Sequence, residues 1–342
     1  DVYKRQGSDI GSVGVLFVGQ GAGYIVGSLA AGRLFDRFVG HRVFAVSLVA
    51  IAAAIAVVPS LTSLPGLFAA FVVVGAGASL GDVGANTMLL WELGAAGARQ
   101  MNVLHLCFGL GALSAPLLVY LGVDVAVRVC AVMCLVVAIS ALRTRSPVVR
   151  IATEDQDASP RPALLGLLAS FFLLYVALEV GFAGWVPTYG EELGFGDGAV
   201  TWLTATFWVG FTVGRLVASG IAHRYRPRTV LLASCWLTLA AAVVLVVGVG
   251  RTAPVWIGTA LIGVATAPQF PVMLSYLERR IRVTGYAMSW FIGAAGIGGL
   301  TFPWLIGQWI DGVGAVALPW SMLALGLAVI GSFFVIDRRL GG

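Results

Sequence analysis

GLGALSAP at residues 109–116 and GIGGLTFP at residues 296–303 read as two copies of one pattern. Their offset of 187 residues matches Gly109, Gly111, Leu113 and Pro116 with Gly296, Gly298, Leu300 and Pro303. The same offset lays Gly23, Gly27, Arg37 and Val43 on Gly210, Gly214, Arg224 and Val230, with Phe38 on Tyr225. One shift that serves segments so far apart marks an internal duplication. Chance similarity of Gly- and Ala-rich helices is the competing explanation, and it rarely holds a single offset.

What is duplicated follows from composition. Of the 342 residues 59% are hydrophobic and only 11% charged, with mean hydropathy +0.96. No water-soluble globule hides that much apolar surface. Apolar runs read against Arg, Gly and Pro punctuation give eleven spans: 11–33, 42–60, 64–90, 99–121, 123–142, 163–187, 198–222, 228–250, 253–277, 284–310 and 315–336. As helices, runs of about 20 residues cross a ~30 Å hydrocarbon core. Alternating ten-residue segments, the mark of a membrane barrel, are absent. The chain is therefore expected to be an all-α polytopic membrane protein built of two pseudo-symmetric helical bundles.

The net charge of +5 does not indicate a nucleic-acid partner, because the arginines are dispersed among short loops rather than gathered on one face. Cys107, Cys130, Cys134 and Cys235 lie inside apolar runs without ligand spacing. They read as small packing residues, and neither a metal nor a cofactor site can be assembled.

RTRSPVVRIATEDQDASPRP at 143–162 is the one clearly polar stretch, and it reads as a linker between bundles at 7–142 and 163–342. Loops on the linker's side carry Arg33, Arg37, Arg42, Arg99, Arg143, Arg145, Arg150 and Arg161. They also carry Arg224, Arg226, Arg228, Arg279, Arg280, Arg282, Arg338 and Arg339. The opposite side bears Arg251 and the acids Asp124, Glu191, Glu192, Asp197 and Asp311. The positive-inside rule makes the Arg-rich side, with linker and C-terminus, cytoplasmic in a cell membrane.

The duplication also bears on the N-terminus. The span at 163–187 has no counterpart 187 residues earlier, so a helix is expected to precede residue 1, and eleven of twelve are present. The opening DVYKRQ holds the chain's one Lys, Lys4, against twenty arginines. Its codons, written GAT GTG TAT AAG AGA CAG, match the end of a transposon adapter used in sequencing libraries. Residues 1–6 are read as an artefact joined to the gene.

Two six-helix halves joined by a polar linker resemble the major facilitator superfamily, whose halves rock about a site near the bilayer midplane. GRLFDRFVGHR at 32–42 is similar to that superfamily's loop after helix 2, Gly-x-Leu-x-Asp-Arg-x-Gly-Arg-Arg, with one extra residue before Gly40 and His41 in an Arg position. HRYRPR at 223–228 is its degenerate second copy. A narrower likeness lies at 75–116, where Asp82 with Asn86, then Asn102 with His105, resemble the branch of fucose permease and related sugar–proton symporters. That branch places a further carboxylate on helix 1. The resemblance implies alternating access, a small polar solute such as a sugar, and a coupled proton.

The residues carry this reading further. A carboxylate inside a span costs several kcal/mol unless paired, neutralised or set in an aqueous cavity. Asp82 lies about six residues, ~9 Å, from the cytoplasmic end of its helix. His105 lies at similar depth on the returning helix, and Asn86 one turn below Asp82 on the same face. Asp82, His105 and Glu179 are the proton-coupling candidates; a purely structural Asp82–His105 pair is the alternative. Asn86, Asn102, Gln269 and Trp290 are the substrate candidates. Gln269 occupies the repeat position of Asp82 within APQFP, and interhelical hydrogen bonding is its alternative role. Arg215 is expected to snorkel or to pair with a neighbouring helix. Asp36, with Arg33, Arg37 and Arg42, reads as a gate. Its carboxylate can accept from the N-terminus of the helix that starts near Thr284 and hold the cytoplasmic side closed.

The expected function is secondary active transport, proton-coupled import of a sugar or similar polar solute, by a monomer in contact with membrane lipid. An efflux antiporter is the first rival; its helix-5 Gly-Pro pair is missing from GLGALSAP. A non-transporting membrane protein or inactive fragment is the second. No catalytic set supports an enzyme.

Overall fold

The structure, a computed structural model, describes residues 10–120, 122–147, 162–222, 224–281 and 283–340. The readings for residues 1–6 and for most of the linker, with His223 and Arg282, lie outside the described residues.

Every described span is a helix, and no strand occurs among the described residues. The order is α1 Ile10–Arg37, α2 Gly40–Val57, α3 Leu64–Leu93, α4 Ala98–Tyr120, α5 Val123–Arg143 and α6 Pro162–Glu192. It continues with α7 Asp197–Ile221, α8 Pro227–Val247, α9 Thr252–Thr266, α10 Gln269–Glu278, α11 Gly285–Val313 and α12 Ala317–Leu340. Against eleven expected spans, nine among the described residues are long and apolar enough to cross a membrane. The other two, α1 and α4, are helices of 28 and 23 residues, interrupted by Arg33, Asp36 and Arg37 and by Arg99, Gln100, Asn102 and His105.

The span expected at 253–277 breaks into α9 and α10. Pro268 and Pro271 supply the cause: each lacks an N–H, and each ring collides with the carbonyl four residues back. The broken segment is also the most enclosed, with 78% of its best apolar window buried, against 11% for α5. On α5, Val132, Met133 and Val136 stand more than half exposed, a surface suited to lipid tails.

The described residues gather into two compact units. The first holds α1, α2, α3, α5, the part of α4 from Ser114 onward and the start of α11 to Gly296. Here α2 packs along α5 and against α1. The second holds α6 to α10, α12, the part of α4 up to Leu113 and α11 from Ile297. In it α9 is flanked by α7 and α8, and α12 lies on α6 and α8.

The duplicated glycines do the same work in both units. In the first, Gly23 and Gly27 of α1 meet the α3 backbone at Val72 and Ala76. In the second, a Cβ on Gly210 of α7 stands 2.6 Å from the Ala260 carbonyl oxygen of α9. A Cβ on Gly214 stands 2.5 Å from that of Val264. Without a side chain, backbone touches backbone, and helix pairs in a membrane gain their van der Waals contact that way.

Candidate functional site

Three groups of polar residues interrupt the apolar packing. In the first unit, Asp82 sits midway along α3, and the Tyr24 hydroxyl of α1 donates to its Oδ2 at 2.6 Å. That length fits a charge-assisted O–H···O⁻ bond. Asn86, one turn on and buried, donates its Nδ2 to the Asp82 backbone carbonyl at 2.8 Å. Its amide is thus folded back on its own helix. Tyr24 was not singled out from sequence. The signal was there in the duplication: Tyr24 falls on Phe211 where Asp82 falls on Gln269, so the half with the acid is also the half with the phenol.

The second group is in the other unit. Arg215 of α7 is only 2% exposed, so its guanidinium is enclosed rather than snorkelled to a surface. It lies 4.7 Å above the Phe211 ring and within electrostatic reach of Glu179, Tyr175 and His105. Glu179 and Tyr175 stand four residues apart on α6 and share one face. Among the described residues the Tyr175 hydroxyl and Arg215 Nε and Nη1 are buried without a close hydrogen bond, although Tyr175 stands beside both Glu179 and Arg215. His105 of α4 packs on Phe270 of α10 with ring centroids 5.0 Å apart, and Phe270 also takes Phe172 and Tyr175. His105 and Asp82 belong to different units.

Gln269 opens α10 and is fully buried; its Nε2 donates to Thr238 Oγ1 of α8 at 2.8 Å and to the Ala265 carbonyl at 3.3 Å. Its Oε1 has no partner. Asn102 is enclosed in α4, while Trp290 is 42% exposed and meets Tyr286 edge-on. Trp202, Trp236, Trp304, Trp309 and Trp320 are exposed as well. Trp185 donates Nε1 to the Pro303 carbonyl at 2.7 Å, tying α6 to the proline of the duplicated motif.

The third group joins α1 and α11 within the first unit. Asp36 accepts from the Gly285 N–H at 3.1 Å through Oδ1 and from the Tyr286 N–H at 3.2 Å through Oδ2. Thr284 caps the same turn by accepting from the Ala287 N–H at 3.1 Å. The first turn of a helix leaves its N–H groups without intrahelical partners, and a carboxylate satisfies two of them while complementing the dipole. Arg33, Arg37 and Arg42 point outward and are exposed.

Comparisons with known proteins agree with this architecture. The sodium-dependent glucose transporter 1A of Mus musculus is 27% identical over 353 residues, spanning 90% of this chain and 83% of its own length. Among solved structures, the transporter FucP in an outward conformation superposes with TM-score 0.81 at 17% identity, covering 97% of this chain and 90% of that one. A second structure, of the E. coli Fucose:proton symporter FucP, gives TM-score 0.80 at 16% identity over 99% and 92% of the two chains. At such identities the structural likeness speaks for the fold. The family model for the Major Facilitator Superfamily matches residues 2–201, more than half of the sequence, and the chain belongs to that superfamily.

Proposed function

We propose that this protein is a secondary active transporter that carries a sugar or similar small polar solute into the cell together with a proton. The observation that carries the reading is the Tyr24–Asp82 bond: a carboxylate inside a membrane span, held by one phenol and, among the described residues, no fixed cation. Such a group can accept a proton in one conformation and release it in another. Two further features support a polyhydroxylated solute. Among the described residues the Tyr175 hydroxyl and the Arg215 Nε and Nη1 donors lie near one another and near Glu179 without a close hydrogen bond, and Gln269 Oε1 adds an unmet acceptor. A few buried polar groups in an otherwise apolar setting are what orient a polar ligand.

The Arg-rich loop side, with linker and C-terminus, is the cytoplasmic one in this reading. Asp36 then closes the cytoplasmic end by capping α11, and the protein works as a monomer within lipid. Import is the direction in this reading because proton and solute are taken to bind and cross together, so a proton entering down its gradient carries the solute with it.

Sodium coupling is the second reading, because the 27%-identical relative bears the name sodium-dependent glucose transporter. Reconstitution into proteoliposomes separates the two. A panel of labelled hexoses and deoxyhexoses is offered under an inward proton gradient, an inward sodium gradient, or neither. Accumulation above equilibrium under the proton gradient, lost in Asp82→Asn, is the expected result. Accumulation that follows sodium and ignores pH selects the second reading. Absence of gradient-dependent flux for every sugar sinks both.

A further inference from the structure

One stripe of α1 runs from Asp82's partner to the α11 cap. Tyr24, Ser28, Gly32 and Asp36 recur every four residues, so they lie along one face of the helix. Each meets α11 in order. A Cβ on Gly296 stands 2.9 Å from the Tyr24 ring, and one on Gly293 stands 3.0 Å from Ser28 Oγ. Gly32 in turn comes within 2.8 Å of the Tyr286 Cα, measured from its own Cβ position. Asp36 then caps Gly285 and Tyr286. All of these residues lie in one compact unit.

Resting on the reading of Asp82 as the proton-binding group, we propose that Tyr24 is a positioning residue that transmits the protonation of Asp82 to the seam between α1 and α11. Tyr24 is held at two places. Its hydroxyl is bound to α3 through Asp82, and its ring lies against the bare backbone of Gly296 on α11. Among the described residues Tyr24 is the titratable group facing Asp82. From α11 the stripe meets Gly293 and Gly296, and from α2 the residues that touch α3 at Gly77 are Ile51 and Ser47. Among the described residues no fixed charge therefore competes with the phenol for the carboxylate.

With Asp82 ionised the bond is charge-assisted and the ring is pinned against Gly296. A proton on Asp82 removes the charge and leaves an ordinary neutral bond, about half as strong. The ring is then free to turn off Gly296, and the packed glycine seam below it loses its upper support. A symporter needs this sign, since binding of the proton must favour release of the end that faces the cell interior.

Amide hydrogen exchange along residues 285–296 tests the proposal on the whole purified protein in lipid nanodiscs. Rates are corrected for the intrinsic pH dependence of exchange. In the unaltered protein, protection of this segment should fall about fivefold from high to low pH, the change expected when a charge-assisted bond becomes neutral. Asp82→Asn and Tyr24→Phe should each flatten that profile, while Gly296→Ala, which crowds the ring, should displace its midpoint. A flat profile in Asp82→Asn with an unchanged one in Tyr24→Phe overturns the role of Tyr24 and leaves Asp82 as the coupling group. An unchanged profile in Asp82→Asn overturns the reading of Asp82 itself. Should Tyr24→Phe fold poorly, an unmoved midpoint in Gly296→Ala overturns the proposal without it.

Discussion

The two repeats share a scaffold and differ in chemistry. Gly23 and Gly27 seat α1 on α3 as Gly210 and Gly214 seat α7 on α9. On that common frame the first repeat places Tyr24 and Asp82, joined by a 2.6 Å bond, where the second places Phe211 and Gln269. Gln269 turns away to Thr238, and the charge in that unit resides instead on Arg215 and Glu179. One unit thus carries an acid hydrogen-bonded to a neutral phenol. The other carries opposite charges that compensate each other. The repeated glycines mark where helices touch in both halves, while the polar residues at matched positions differ.

The compensated cluster can be broken most severely. Removing Arg215 leaves Glu179, about 9% exposed, without its cation. Stripping one partner from a contacting buried charge pair costs about 3–5 kcal/mol, an upper bound for these two, which interact electrostatically without an ion-pair contact. Arg215→Met should therefore lower the unfolding temperature in detergent sharply, and adding Glu179→Gln should restore most of the loss. A double variant no better than the single one shows that Arg215 and Glu179 are not energetically coupled. Asp82→Asn, by contrast, should leave stability nearly intact, since a neutral amide can still accept from Tyr24.

Smaller effects probe the shared frame. Gly27→Ala and Gly214→Ala each push a methyl into the facing helix, Gly27 against Ala76 and Ser79, Gly214 against Val264. Overpacking of this kind costs about 1–3 kcal/mol. The two losses should be alike if the repeats use their glycines alike. Gly184→Ala on α6 is the control, because no atom lies within 4 Å of its Cβ position. There the higher helix propensity of Ala should stabilise by up to about 1 kcal/mol. Thermal unfolding of all three variants under one detergent condition measures the comparison.

Much of this frame was legible in the sequence because hydropathy and a 187-residue repeat are properties of the chain alone. The close helix contacts at the repeated glycines followed from those signals, whereas the helix break at Pro268 fell inside a span expected to be continuous. The Asp36 cap on α11 joins residues about 250 apart, and it was anticipated from the superfamily loop it resembles. The partner of Asp82 was not legible. A run of apolar residues sets which segment spans, whereas the rotation of α1 that aims Tyr24 at α3 is set by tertiary packing. For the same reason an Arg two turns from a helix end could read as snorkelling. Its enclosure depends on α6 presenting Tyr175 and Glu179 on one face.

The smallest effect concerns Gln269 and decides between the roles the sequence left open. Its side chain donates to Thr238 of α8 and, at the longer 3.3 Å, to the Ala265 carbonyl of α9, and leaves Oε1 buried and unmet. Gln269→Met keeps the volume, gives up a neutral hydrogen bond worth about 1 kcal/mol and also removes an orphaned acceptor that costs about as much. Stability should therefore stay within about 0.5 kcal/mol of the parent, since the two terms have opposite sign. Transport then reports on the unmet oxygen alone. A solute hydroxyl that donates to Oε1 loses its acceptor, so KM should rise about tenfold, the equivalent of about 1.4 kcal/mol, with kcat little changed. An unaltered KM would assign Gln269 to holding α8 against α10, and the difference between the halves at this repeat position would then be structural rather than chemical.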